Sequence, residues 1–287
     1  MGVPAFTPSS AAILLTHWLD ALEASGGKRF PVDIKELALQ VGRQLKWSDE
    51  IFEVRAANID SFEGGLFQIQ GRGWALLYNE QFGSDGRVRF TQAHELGHYL
   101  LHRGVKDTFQ CTQGDMVQWS PDQAPLESQA NAFASNLLMP MKQFRACTDG
   151  AAIDFDQLSD AADKFGVSLT AAALRWIQST EQSAVLVMAR DGFMLWSVSS
   201  DKARENGAFF RTRGRAVAVP PDSIAASATK GTRRGERVSL STWFEHAHKD
   251  AVAREMKLPC ESLGYTLSLL HLSGGDKVWE PRPWGSD

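Results

Sequence analysis

Apolar and polar positions along the first 80 residues follow two different periods. Apolar residues recur every three or four positions between 13 and 22, with serines before this stretch and glycines after it, which predicts a helix. A second, shorter helix is predicted at 33–41. Apolar and polar residues then alternate in short runs between turn residues, which predicts strands of a small antiparallel sheet at 51–56, 65–70 and 74–79.

Helical spacing returns after these strands. It predicts helices at 87–102 and 127–139, the second of which stops at Pro140. The link between them, 103–126, is long, polar and rich in turn residues, and a loop of this length inside a compact domain is typically functional or mobile.

Two further helices are predicted at 156–165 and 169–178, with a glycine in the turn between them, which is the rhythm of a helix-turn-helix. From residue 184 onward short apolar runs alternate with polar connections, which is typical of a separate α+β domain. Its predicted strands are 185–188, 193–198, 216–219 and 266–271. We therefore predict an α+β protein with a domain at 1–148, a helix-turn-helix-like segment at 149–182 and a C-terminal domain at 183–287.

The composition is that of an ordinary globular protein, with 43% hydrophobic and 22% charged residues. The first ten residues contain no basic side chain, and the apolar run at 11–16 is too short to span a membrane. We therefore expect a cytoplasmic protein with no membrane partner. Its cysteines form no CxxC pair, which indicates unlinked thiols and poor zinc ligands; they are Cys111, Cys147 and Cys260.

Charge is unevenly distributed along the chain. Residues 1–183 contain 15 Lys and Arg against 22 Asp and Glu, whereas residues 184–287 contain 15 against 12. Acidic residues dominate the helix-turn-helix-like segment, so we expect a structural or repressor-docking role there and no direct DNA binding. The C-terminal domain has two basic clusters, which form either a solvated surface or a surface for a nucleic acid, an anionic ligand or a small molecule. Their members are Arg211, Arg213, Arg215, Lys230, Arg233, Arg234 and Arg237.

The predicted helix at 87–102 contains the motif HExxH, formed by His94, Glu95 and His98. Histidines four residues apart lie on one face of a helix, so their ring nitrogens can reach a single metal ion. Glu95 lies beside them, where its carboxylate can accept a proton from a water molecule on the metal. A chance match on a surface helix is the alternative, and it is rare in a chain with 7 histidines. The motif predicts a catalytic zinc site.

A catalytic zinc site has three protein ligands, so the motif lacks one. Glu127 opens the next predicted helix, whose apolar stripe would pack against the first helix and bring this carboxylate to the metal. Asn131, one turn later, could hold a ligand histidine. His102 is the competing third ligand, although successive steps of about 6 Å along a helix hardly allow three histidines to converge. A metzincin-type third histidine, as in HExxHxxGxxH, is absent.

Together, HELGHYLLH at 94–102 and ESQANAFASNLLMP at 127–140 resemble the ImmA/IrrE family of metallopeptidases, and the likeness extends over about 30–176. The resemblance implies a zincin-like fold, Glu95 as the catalytic base, and a helix-turn-helix repressor or antitoxin as the substrate, cleaved in stress or mobile-element regulation. It also implies a GAF-like C-terminal domain. The zinc ligands that it implies are His94, His98 and Glu127.

The leading hypothesis is therefore a cytoplasmic zinc endopeptidase. The rivals are a regulatory sensor with a structural or inactive zinc site, and a DNA-binding regulator. A structural site needs no base beside its ligands, so Glu95 argues against the first rival. Tyr99, His102 and the 103–126 link are the candidate donors to the oxyanion of the transition state. The strand at 74–79 could be a sheet edge on which an extended substrate adds.

Overall fold

The computed structural model describes residues 6–58, 63–81, 84–111, 125–149, 153–228, 231–260, 264–273 and 275–279. The chain divides into two compact units. The first contains Met1–Cys147 and Ala161–Ser168, and the second contains Thr148–Asp160 and Leu169–Asp287. The described helices include none that is long and apolar enough to cross a membrane.

The first unit combines helices with a four-stranded sheet. Its elements, in chain order, are α1 (Pro8–Ala24), α2 (Ile34–Gln44), β1 (Ile51–Ala56), β2 (Gly64–Ile69), β3 (Gly73–Tyr78), α3 (Asp85–His102), β4 (Thr108–Cys111), α4 (Pro125–Leu138) and α5 (Met141–Thr148).

Helix starts in this unit follow local sequence signals. Thr7 and Ser10 form a reciprocal capping box at the start of α1, where Pro8 occupies the first turn. The side chain of Asp33 accepts a hydrogen bond from the backbone N–H of Glu36 at the start of α2. The observed start of α2 lies one residue from the predicted one, whereas α1 begins at Pro8 and includes the serines that were predicted to precede it.

The sheet of the first unit has the order β1-β3-β2-β4. Strand β2 is antiparallel to β3, as predicted, and also to β4, but β1 runs parallel to β3. The chain reverses at each connection from β1 through β2 to β3, so the first and third strands point the same way. Alternation of side chains shows that a segment is extended but does not identify its neighbour.

The prediction of an open substrate edge at 74–79 is wrong. This segment is β3, which pairs with β1 on one side and β2 on the other, so its backbone hydrogen-bonding groups are used. Among the described strands the edges are β1 and β4. Strand β4 lies in the link predicted as a loop, 103–126, where residues 112–124 fall outside the described part of the chain.

Helix α3 lies in the centre of the first unit. It packs against β2, β3 and β4 on one side and against α4 on the other, and α1 also packs against α4. Its residues from Ala93 to Leu100 are all buried. The helix is therefore enclosed on several sides, which explains why the HExxH segment lies in a largely dry environment.

The second unit is built on a six-stranded antiparallel sheet with the order β7-β6-β5-β10-β9-β8. This architecture confirms the predicted α+β class. The elements that contribute to it are α6 (Phe155–Phe165, of which residues 155–160 belong here), α7 (Leu169–Ser179), β5 (Ala184–Arg190), β6 (Phe193–Ser199), α8 (Asp201–Glu205), β7 (Val217–Ala218), β8 (Thr232–Ser239), β9 (Val252–Cys260) and β10 (Tyr265–Leu272).

Helix α7 packs against β5 and β6 and buries all of its residues from Ala172 to Ile177. A second apolar cluster includes alternate residues of β5, such as Val185 and Val187, with Trp243 and Leu270. Both faces of β5 are thus buried, which explains its nearly continuous apolar sequence.

The basic residues of β8 are partly engaged within the second unit. Arg233 donates to Asp156 at 2.6 Å and to the carbonyl of Phe155 at 2.9 Å, and Arg234 donates to Asp156 at 3.2 Å. These contacts give part of one predicted basic cluster an internal structural role. Lys230 lies outside the described residues.

Candidate metal centre

The candidate ligands lie where helices α3 and α4 approach each other most closely. Gly97 makes this approach possible, because a Cβ atom at this position would lie 2.9 Å from the ring of Phe133 and 3.2 Å from the Cα atom of Ala130. Ala130 is itself small, so the two backbones come together. This packing brings Glu127, at the start of α4, over the histidines of α3.

Three side-chain atoms from the two helices form a small triangle. Nε2 of His94 lies 3.0 Å from Nε2 of His98, and Oε2 of Glu127 lies 3.0 Å and 3.3 Å from these two nitrogens. Two ligands of a tetrahedral ion with bonds of about 2.0–2.1 Å are separated by about 3.3 Å. Among the described residues these three form a group that could hold a metal ion.

The hydrogen bonds around the triangle indicate that its nitrogens are lone-pair donors. Nδ1 of His94 lies 2.8 Å from the side-chain oxygen of Asn131, so it carries the hydrogen and leaves the lone pair on Nε2. Two ring lone pairs and a carboxylate oxygen at these distances repel one another unless a cation lies between them. The donor set therefore fits a small cation bound by two imidazoles and one carboxylate.

Burial shifts the proton affinity of these groups. It lowers the pKa of His98 to about 4; the positive charge that His94 and His102 can carry adds to this, and the contact with Glu127 opposes it. Burial alone would raise the pKa of Glu127, but its contacts with His94 and His98 outweigh this effect and the pKa is lowered. At neutral pH the imidazole of His98 is thus uncharged and the carboxylate ionised, which are the forms that bind metals.

Glu95 is fully buried beside the triangle. Burial and the negative charge of Glu127 raise its pKa well above the ordinary value. Neither of its carboxylate oxygens has a hydrogen-bond partner among the described residues. Gly64 of β2 provides the room for this side chain, because a Cβ atom there would lie 3.0 Å from Oε1 of Glu95. A buried carboxylate without a partner and with a raised pKa is typical of a general base.

Two of the three candidate oxyanion donors are engaged elsewhere. The hydroxyl of Tyr99 donates to the backbone carbonyl of Asp49 at 3.1 Å, and its ring packs edge-on against Trp47 and Trp74. His102 contacts His98 through its Nδ1 and lies outside the triangle of ligand atoms. His102, the alternative third ligand, therefore lies outside the triangle, whereas Glu127 is one of its three members.

Sequence reasoning missed residues that enclose the site. Phe109 of β4 stacks on the ring of His98, with centroids 4.5 Å apart and planes 21° from parallel. The alternating segment Thr108–Cys111 was the available signal, but it is short and lies inside a polar link. Gln129, whose Oε1 lies 3.1 Å from Nε2 of His102, was missed because a polar residue on a helix has no distinctive pattern. The 112–124 part of the candidate oxyanion-donor link lies outside the described residues.

A family model described as the IrrE N-terminal-like domain, from a family of metallopeptidase type, matches residues 50–176. The match covers α3 and α4 with all four predicted site residues. Residues 50–176 are thus similar to the ImmA/IrrE family. This match supports the resemblance inferred from the paired motifs and is consistent with the α+β fold. It leaves the roles of His94, His98, Glu127 and Glu95 as predictions for this chain.

A solved structure, of a Mycobacterium tuberculosis transcriptional regulator, is similar with a TM-score of 0.48 and 14% identity. The similarity covers 90% of this chain and 76% of the regulator. No curated protein sequence matches the chain.

Proposed function

We propose that this protein is a zinc-dependent endopeptidase. The observation that carries the proposal is the convergence of His94, His98 and Glu127 beside a buried carboxylate, Glu95, that has no other partner. Three protein ligands leave a coordination position open, as catalytic zinc sites require. When bound, zinc would polarise the carbonyl group of the scissile peptide bond and lower the pKa of a nearby water molecule.

A side chain of the protein would then accept and donate the proton. Glu95 accepts a proton from the attacking water and later donates it to the nitrogen of the leaving amine. A raised pKa suits this double role, because the carboxylate must hold the proton between the two steps. The buried surroundings of α3 exclude bulk water, so the proton stays within the site.

Strand β4 supports an extended peptide as the substrate. It is an edge strand of the described sheet, and its residue Phe109 lies against His98. A peptide that adds to this edge by backbone hydrogen bonds would run beside the metal centre. Such binding recognises the main chain of the substrate, so it suits a protein segment that is extended or locally unfolded.

The substrate that we propose is a helix-turn-helix repressor or an antitoxin, in a stress or mobile-element circuit in the cytoplasm. This rests on the similarity of residues 50–176 to the ImmA/IrrE family. The burial of α7 within the second unit supports a protein-docking or structural role for the helix pair and argues against its insertion into a DNA groove. We further propose that the C-terminal domain regulates the peptidase through a bound small molecule or anion.

The alternative is a sensor whose zinc site is structural or inactive. Glu95 disfavours it, because burying a carboxylate without a hydrogen-bond partner costs stability and has no use in a structural site.

The test compares the wild-type protein with a Glu95→Gln variant at equal zinc content. A helix-turn-helix protein, chosen from the genes that neighbour the gene of this protein, is offered as the substrate, and mass spectrometry identifies the products. The wild type should cleave it, and the variant should be slower by about a hundredfold or more, because an amide cannot accept the proton. Cleavage by the variant at the wild-type rate would contradict Glu95 as the base.

A further inference from the structure

The ring of His98 is connected by hydrogen bonds to two residues outside the ligand triangle. Its Nδ1 lies 3.1 Å from Nδ1 of His102, and Nε2 of His102 lies 3.1 Å from Oε1 of Gln129. Both histidines are buried, with 1% and 3% of their surface exposed. Gln129 is exposed on α4, so these contacts lead from the metal centre to the surface.

The contact between His102 and Gln129 determines which ring nitrogens donate hydrogen bonds. Oε1 of Gln129 is a carbonyl oxygen that can only accept, so Nε2 of His102 carries the hydrogen. A neutral imidazole has a single N–H group, so Nδ1 of His102 is then an acceptor and His98 donates to it from Nδ1. The lone pair of His98 is left on Nε2, the atom that faces His94 and Glu127.

We propose that His102 and Gln129 are positioning residues that hold His98 in the tautomer and orientation required to bind the metal. The identity of the metal as zinc rests on the proposed function. Asn131 contacts His94 directly, at 2.8 Å. His98 is instead held by His102, which is itself held by Gln129. Gln129, Asn131 and Glu127 all lie on α4, so this one helix provides a ligand and both terminal acceptors.

Phe109 covers the buried end of this relay, which consists of His98, His102 and Gln129. Its ring stacks on His98 and lies 6.2 Å, between centroids, from the ring of His102. In such a dry environment an N–H group without an acceptor is costly, so His98 loses its preferred orientation when His102 can no longer accept. A loss of the outer acceptor should therefore appear in the affinity for zinc.

The experiment measures zinc affinity of full-length variants by competition with a chromophoric chelator. His102→Phe keeps a ring but removes the acceptor, and should weaken zinc binding by about tenfold or more. His102→Gln restores a carbonyl acceptor and should recover most of this loss. The matched control is Ser128→Ala, an exposed neighbour of Gln129, which should stay within about twofold of the wild type.

Variants of Gln129 test the far end of the relay. Gln129→Leu removes the acceptor of His102 and should weaken zinc binding, whereas Gln129→Glu supplies a stronger acceptor and should preserve or tighten it. Wild-type affinity in both His102→Phe and Gln129→Leu would overturn the relay while leaving the zinc site intact. Thermal melts monitored by circular dichroism verify that each variant is folded.

Nitrogen NMR of the zinc-free wild type decides the same question without metal. The relay predicts hydrogen on Nδ1 of His98 and on Nε2 of His102. The opposite tautomer at either ring would overturn the relay, even if the protein folds normally. If the wild type binds no zinc, the proposed function fails, and this tautomer measurement still supports or rejects the relay.

Discussion

At the metal centre two carboxylates and two imidazoles share one small space, where burial shifts the pKa values of His98 and Glu95 in opposite directions. Burial lowers the pKa of His98 to about 4 and raises that of Glu95 well above its ordinary value. The folded protein thus keeps His98 neutral over a wide pH range while favouring the protonated form of Glu95. Binding a cation at the triangle needs a neutral His98, and the raised pKa makes the deprotonated carboxylate of Glu95 a stronger base.

These shifts predict the pH dependence of stability without metal. The folded pKa of His98 lies below the ordinary 6.5, so its contribution is complete above pH 6.5 and is lost as the pH falls towards 4. The loss is about 3 kcal/mol, from about 1.4 kcal/mol per pKa unit. Glu95 acts in the opposite sense, because its contribution to stability is complete below its ordinary pKa and is lost as the pH rises. The Glu95→Gln variant removes this opposing effect, so the contribution of His98 can be measured without it.

Urea unfolding of Glu95→Gln in the presence of EDTA should therefore show a falling free energy of unfolding between pH 6.5 and 4. The control is the double variant Glu95→Gln/His98→Gln, which should show a smaller fall because it lacks this titrating group. Equal pH dependence in the two proteins would contradict the shift assigned to His98.

At the scale of elements, the contact between α3 and α4 assembles the site, and Gly97 controls it. The HExxH pattern and the apolar stripe of the second helix made this pairing predictable from the sequence. The pattern could not show how close the helices come, because that distance depends on small side chains facing each other at Gly97 and Ala130. It also could not place β4, whose four residues lie inside a polar link.

Gly97→Ala should push α4 away from α3, because the added Cβ atom meets both the Phe133 ring and the Ala130 backbone. We expect zinc affinity to fall by about tenfold or more and stability by about 1–3 kcal/mol. Chelator competition and thermal melts measure the two effects. The control is Gly104→Ala, where a Cβ atom meets nothing within 4 Å. Unchanged affinity in Gly97→Ala would mean that the helix contact does not set the ligand geometry.

At the scale of the whole molecule, all four predicted site residues lie in the first unit, and the six-stranded sheet forms the second. The sequence predicted the α+β class and most elements, because amphipathic helices and alternating strands have clear periods. It did not predict β8 and β9. Strand β8, whose sequence is TRRGERVS, carries charged residues and a glycine in place of an apolar alternation, and β9 interrupts its apolar positions with Glu255 and Lys257, which are buried.

The sequence pattern could not predict the burial of Glu255 and Lys257. Glu255 accepts hydrogen bonds from the backbone of Ala225 and the indole of Trp243, at 2.6 Å and 2.8 Å, and Lys257 donates to the carbonyl of Ser227. Charged residues are buried where such distant partners satisfy them. These partners lie far from β9 in the sequence, so only the folded structure reveals them.

The most direct test of the account is the location of zinc in crystals of the zinc-loaded protein, found from anomalous differences at the zinc absorption edge. We expect one ordered zinc site, bound by Nε2 of His94, Nε2 of His98 and the carboxylate of Glu127. His102 should lie outside the coordination sphere and in contact with His98. Zinc bound instead by His102 or by the cysteines, or no zinc between α3 and α4, would contradict it.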